Sequence, residues 1–273
     1  MSGPNGAAPV ERLSLNQITV DQWTLPELIE GCARAGITAI APWRERVADI
    51  GLDRAARLIA DAGLRVSSLC RGGFFPAQSD SGRRRADDDN RRAVDEAAAL
   101  GADVLVLVCG PPVGRDLEGA RAEIAAGIER LAPYAAEHGV RLGIEPLHPM
   151  MIGERSAIVT LGEAVDLALE FGAGVVVDAY HVWWDPALER ELARAAGRIV
   201  GFHVSDWLVP TPDLLQGRGM MGDGIIDLRR IRGLVEAAGY DGPIEVEVIN
   251  RDLWRLPGDE LVALVRERFA AAV

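Results

Sequence analysis

Four apolar runs in the second half of this sequence each deliver a side chain that can bind a cation or move a proton. Residues 140–145 end on Glu145, 175–178 on Asp178 and 199–203 on His203, while 244–248 carry Glu247. Three carboxylates gathered at one point repel, and at least one holds its proton to higher pH unless a cation sits among them. With an imidazole they make a donor set for one divalent metal ion, Mn2+ first, with Mg2+, Co2+ and Zn2+ as alternatives. Taken singly, each residue could equally cap a neighbouring helix or form a salt bridge. Spacing also leaves a competitor on the last run. Glu245 and Glu247 share one side of an extended strand, and Glu247 is nearer the C-terminal end.

The elements that would position these groups are marked by repeated punctuation. Ala-rich amphipathic stretches stop at Gly36, Gly63, Gly101, Gly139, Gly172, Gly197 and Gly239, and an aliphatic run follows each stop. Glycine is favoured just past a helix end. With residues 13–19 in front, the runs 37–41, 65–70, 104–109, 140–145, 175–178, 199–203 and 244–248 make eight candidate strands. Thr24-Leu25-Pro26-Glu27 and Thr160-Leu161-Gly162-Glu163 read as capping boxes, Asp185 and Asp227 as helix N-caps, and the last helix begins near Asp259. Strands alternating with helices predict a parallel sheet, and eight such units predict a single (β/α)8 TIM barrel over residues 11–273, after a flexible N-terminal segment 1–10. No Gly-x-Gly-x-x-Gly fingerprint follows any strand, as a doubly wound dinucleotide-binding sheet would require. In such a barrel the chemistry belongs at the C-terminal ends of the strands, where Glu145, Asp178, His203 and Glu247 stand.

Composition narrows the function classes. The net charge of −12 argues against a nucleic-acid partner, and Arg83-Arg84-Arg85 is answered at once by Asp87-Asp88-Asp89. No apolar run is long enough for a membrane span, and residues 1–10 lack the basic start and apolar stretch of a signal peptide, so a cytoplasmic protein is expected. Cys32, Cys70 and Cys109 read as buried thiols of a reducing compartment, and no histidine base is implied beside Cys70 or Cys109 for a thiol nucleophile. The aromatic residues Phe74, Phe75, Trp183 and Trp184 stand beside strand ends, where they could close over a ligand or seal helices together.

Gly143-Ile144-Glu145-Pro146, Val177-Asp178-Ala179-Tyr180-His181, Phe202-His203-Val204-Ser205-Asp206, Gly222-Asp223-Gly224-Ile225-Ile226-Asp227 and Glu245-Val246-Glu247 together resemble the xylose-isomerase-like sugar isomerase/epimerase superfamily. Within it the chain is most similar to the inosose isomerase and ketohexose 3-epimerase branch. The resemblance implies Glu145, Asp178, His203 and Glu247 as metal ligands, and Glu145 and Glu247 also as the acid/base pair. It implies that His181 and Arg218 contact substrate oxygens, and that Asp206 supports the site or touches substrate. His148 and Trp184 are further candidate substrate contacts from their positions beside strand ends. The activity implied is isomerisation or epimerisation of a ketose, inosose or oxo-sugar through a metal-stabilised enediolate. A dehydratase or lyase on the same site is the alternative. A homodimer or homotetramer is expected, with a small sugar or polyol as substrate. The apurinic endonuclease branch would need more histidines than the four present, and a non-enzymatic sugar-binding role would leave the full ligand set unexplained.

Overall fold

The computed structural model describes residues 8–273. The segment expected to be flexible over residues 1–10 lies outside the described residues as far as position 7; beyond it Ala8 is buried and Val10–Arg12 forms a 3-10 turn. The strands are β1 Leu13–Asn16, β2 Ala39–Ala41, β3 Arg65–Val66, β4 Leu69–Gly73, β5 Leu105–Val108, β6 Leu142–Ile144, β7 Gly174–Asp178, β8 Ile199–Val204 and β9 Ile244–Val246. They form one parallel sheet in the order β3-β2-β1-β9-β8-β7-β6-β5-β4.

The two ends of that order are consecutive in the chain, separated by Ser67 and Ser68. They are halves of the single strand expected over residues 65–70. The first half pairs with β2 and the second with β5, and a parallel bridge between Trp43 and Cys70 continues the β2 side. The chain thus closes the sheet by changing partners in mid-strand. The expected (β/α)8 barrel is the fold, with its third strand broken in two.

The local signals act as physical chemistry requires. All seven glycine stops take positive φ, from 62° at Gly101 to 97° at Gly239. Thr24 with Glu27 and Thr160 with Glu163 form complete capping boxes, and Asp227 caps its helix through the Arg230 N–H. Asp185 is a correction: it accepts from the Ala187 N–H in the preceding turn, and the helix Leu188–Arg194 starts later without a side-chain cap. The following Pro186 lacks an N–H, so Asp185 serves the turn. Among the described residues no helix is long and apolar enough to cross a membrane.

Inside the barrel, Val106 of β5, Val104 just before it and Val176 of β7 form a buried cluster. Gly143 belongs to that layer, because a Cβ there would lie 2.6 Å from Val176 Cγ2 and 2.7 Å from Val104 Cγ1. The valines fill the barrel; the strand ends above them remain for chemistry.

Candidate metal centre

Strand register brings the ligand candidates together. Asp178, the last residue of β7, pairs with His203 on β8, and His203 pairs with Glu245 on β9. Glu145 and Glu247 each stand one residue past a strand, with their N–H groups extending the ladder to Leu107 O and Val204 O. One ligand atom from each of Glu145, Asp178, His203 and Glu247 lies within 4.8 Å of the others, and all four residues are buried.

The surroundings separate Glu247 from Glu245, which spacing left open. Glu245 Oε1 accepts from Asn16 Nδ2 at 2.7 Å, and Oε2 accepts from the Ser67 and Ser68 hydroxyls at 3.0 and 2.9 Å. Its lone pairs are occupied by the residues at the strand break. Glu247 Oε1 receives a longer 3.2 Å bond from the same Asn16 Nδ2, and Oε2 receives Arg218 Nη1 at 3.0 Å. Glu247 sits in the four-residue cluster and Glu245 supports it from one layer deeper.

Electrostatics match a cation site. Burial raises the Glu145 pKa, against the pull of His203, and raises that of Glu247 to about 7, against the pull of Arg218. Burial works against a charge on His203, but the carboxylates of Glu245, Glu145 and Glu247 outweigh it and lift the imidazole to about 10. Asp178 stays below the usual carboxylate range because the Arg218 guanidinium, 2.9 Å from Oδ2, overcomes the cost of burial. Glu145 Oε1 and both ring nitrogens of His203 are buried with no hydrogen-bond partner among the described residues. Glu145 Oε1 and His203 Nδ1 approach to 3.2 Å without the alignment a hydrogen bond needs. Buried polar atoms left unpaired are costly, and a divalent ion held by Glu145 Oε1 and one ring nitrogen of His203 would satisfy two of these three. The residues fit the metal.

His181 and Arg218 flank the cluster. His181 lies on the short helix Ala179–Val182, which Asp178 caps by accepting from the Tyr180 N–H. Its Nδ1 accepts from the His148 N–H at 3.1 Å, and burial drives its pKa down to about 3. Its Nε2 lies 3.2 Å from Arg218 Nη2 and 3.6 Å from Asp178 Oδ2. Arg218 is buried over the Tyr180 ring, and its Nη1 reaches Asp178, Glu247 Oε2 and the Glu247 carbonyl.

A cavity of about 260 Å3 opens beside these groups, lined by Glu145, His181, Arg218 and Glu247, and walled by Trp43 and Trp254 among others. Three expected contacts stand outside it. His148 packs its ring on Trp184 and Trp207 and serves through its backbone N–H to His181. Trp184 donates from Nε1 to the His181 carbonyl at 2.8 Å. Asp206 is fully buried and accepts from the N–H groups of Trp207, Gly222, Gly224 and Ile226. These four bonds anchor the glycine loop. Gly224 is obligatory there, since a Cβ would fall 2.3 Å from Trp207 O.

The aromatics expected to cover a ligand also divide differently. Phe75 and Trp183 pack into or against the core, whereas Trp43 and Trp254 line the cavity, held by bonds from their Nε1 atoms to Asn16 Oδ1 and Ile18 O. Cys32 and Cys109 are buried, but Cys70 is half-buried and lines the cavity. Burial raises all three thiols, which removes the thiolate a nucleophile needs. Sequence reasoning also missed Asn16, Arg155 and Gln216. A strand-end amide two residues past Ser14 was the available signal for Asn16; loop positions 155 and 216 carried none.

A family model described as Xylose isomerase-like TIM barrel matches residues 29–270. The crystal structure of protein SMc04130 from Sinorhizobium meliloti 1021 is 50% identical, covers 97% of this chain and 99% of that one, and superposes with a TM-score of 0.94. A 3-dehydroshikimate dehydratase of Pseudomonas aeruginosa is 31% identical over 242 residues, 83% of this chain and 36% of its own, so the chain spans about a third of that relative. An L-ribulose 3-epimerase of Methylomonas sp. (strain DH-1) is 25% identical over 238 residues, covering 82% of this chain and 78% of that one.

Proposed function

The chain belongs to the xylose isomerase-like TIM barrel family, and from that premise we propose that it is a divalent-metal-dependent isomerase or epimerase of a small polyhydroxy ketone. One observation carries the reading: four buried residues place ligand atoms within 4.8 Å of one another, and Glu145 Oε1 and the His203 ring nitrogens have no hydrogen-bond partner among the described residues. Glu145, Asp178, His203 and Glu247 hold the ion. When bound, a divalent cation supplies Lewis-acid stabilisation of the negative charge of an enediolate.

The remaining work falls to the chain. One of Glu145 and Glu247 takes the proton from the carbon beside the ketone, and the C–H electron pair becomes the enediolate double bond. The partner returns a proton to the opposite face for epimerisation, or to the adjacent carbon for isomerisation. Burial suits both carboxyls to this exchange, because it brings their pKa values up toward neutrality. Such general acid–base help is worth roughly 10²–10⁴-fold. Arg218 and His181 orient substrate oxygens at the cavity wall.

The 31% identity to a dehydratase supports a second reading on the same residues. There the enediolate expels a β-hydroxyl, and the returning proton leaves with it as water. A screen of ketoses, inososes and cyclic oxo-acids in D2O with Mn2+ distinguishes the outcomes. An isobaric product carrying solvent deuterium supports isomerase or epimerase, and a product lighter by one water supports the dehydratase. Turnover without deuterium entry would overturn proton transfer through solvent-exchanging carboxyls.

A further inference from the structure

Two arginines of the cavity wall have no assigned task. Arg71 lies on β4 and Arg155 on the loop after the 3-10 turn Pro149–Met151, and both line the cavity that Glu145 and Glu247 enter. Among the described residues no carboxylate lies within ion-pair distance of either. Most basic groups close to the barrel differ: Arg44 holds Asp89 and Glu96, and Arg218 holds Asp178 and Glu247.

Both residues are held in the fold, Arg71 through backbone and side chain and Arg155 through its backbone. The Arg71 carbonyl accepts from Arg44 Nη1 at 3.2 Å, and its guanidinium carbon stands 3.8 Å above the Phe74 ring. Phe74 adopts φ 51°, a left-handed conformation that an aromatic residue takes only at a cost of ~1–2 kcal/mol. Backbone strain of this kind collects at ligand sites. Arg155 is held through its backbone, its carbonyl accepting from the Gly110 N–H at 2.9 Å, and the chain continues in a parallel bridge from Ser156 to Gly110. Burial, and to a lesser degree Arg155, lower the pKa of Arg71. Two guanidinium groups sharing one cavity repel unless an anion joins them.

We propose that Arg71 and Arg155 form an anion subsite, so that the substrate is an acid, a polyhydroxy oxo-compound bearing a carboxylate or a phosphate. Guanidinium forks match either group by paired charge-assisted hydrogen bonds. Gln216, whose buried Oε1 has no hydrogen-bond partner among the described residues, also lines the cavity and accepts from a substrate hydroxyl. The cavity, of about 260 Å3, accommodates one small ring or short chain. The proposal deepens the metal-enzyme reading and rests on it only for where the reacting carbon lies.

Three probes share a six-carbon polyol chain and differ in charge: neutral sorbitol, gluconate with a terminal carboxylate, and sorbitol 6-phosphate with a terminal phosphate. Their affinities are measured by calorimetric titration of the full chain with Mn2+, and again after chelation, for wild type, Arg71→Gln, Arg155→Gln and the double variant. At least one acidic probe should bind wild type about tenfold more tightly than sorbitol, the factor set by ~1.4 kcal/mol. Gluconate alone preferred assigns a carboxylate, and sorbitol 6-phosphate alone a phosphate. The double variant should lose the preference with its thermal midpoint and metal content unchanged. Arg71→Lys, which keeps the charge, should retain part of it even if Arg71→Gln folds poorly. Equal binding of the three probes, no binding of any, or a preference that survives in the double variant would overturn the subsite. Failure to bind Mn2+ would overturn the metal-enzyme reading instead, while the chelated titration still tests the arginines.

Discussion

Arg218 Nη1 stands 3.0 Å from Glu247 Oε2, so a fixed positive charge lies against a carboxylate assigned to the metal. The same nitrogen is 2.9 Å from Asp178 Oδ2. Arg218 therefore balances two carboxylates of the proposed metal site. Arg218→Gln should lower the thermal midpoint of the metal-free protein by roughly 6–12 °C, since breaking a buried pair costs about 3 kcal/mol or more. Saturating Mn2+ should recover most of that loss, and kcat/KM should fall by about 100-fold. A metal-free midpoint unchanged in thermal denaturation would contradict this role.

Glu247 and Glu245 should respond differently to the same change. Glu247→Gln removes a ligand and a proton carrier, and should abolish turnover while the fold survives. Glu245→Gln retains an acceptor for Asn16 Nδ2 and places an amide near Ser67 and Ser68. It should keep metal and lose about 10- to 100-fold in kcat, the usual effect of disturbing a group that orients a ligand. Metal content and turnover of the two variants, side by side, decide the assignment.

Metal binding should release protons. In the metal-free site His203 has its pKa lifted to about 10 and Glu247 to about 7. At pH 7 the imidazole is therefore protonated and Glu247 is about half protonated, yet both must be deprotonated to bind. At least one proton should leave per ion at pH 7, and apparent affinity should rise as pH climbs from 6 to 8. Titration calorimetry in two buffers of different ionisation enthalpy measures the number. Identical heats in both would show that no proton leaves.

Asp206 should matter for the loop that carries Arg218. Asp206→Ala strips an acceptor from four backbone N–H groups and should cost at least ~3 kcal/mol in denaturant unfolding. Gly224→Ala should be comparably harmful because its Cβ meets Trp207 O. Near-neutral stability of both variants would contradict the anchoring role.

What was legible in the sequence follows from periodicity. Asp178 and His203 interrupt apolar runs where a parallel strand must end, so their placement on one rim could be read directly. The choice between Glu245 and Glu247 could not, because a period of two puts both on one face; Asn16, Ser67 and Ser68 decide it, and they come from distant strands. The break in the third strand was hidden for the same reason, since its cause is a change of pairing partner. His148, Trp184 and Asp206 show the limit on the loops. Residue type and position above a strand mark the neighbourhood, but only the folded loop decides whether a side chain faces the cavity or ties the backbone. Arg71 and Arg155 had no local signature of a shared wall.

The most direct test of the central claim is the divalent metal content of purified, Mn2+-reloaded protein, measured by plasma mass spectrometry for wild type and for Glu145→Gln, Asp178→Asn, His203→Gln and Glu247→Gln. The four-residue centre predicts one ion per chain in wild type and a sharp loss of occupancy in each folded variant. A wild type that holds no ion, or variants that hold as much as wild type, would contradict it.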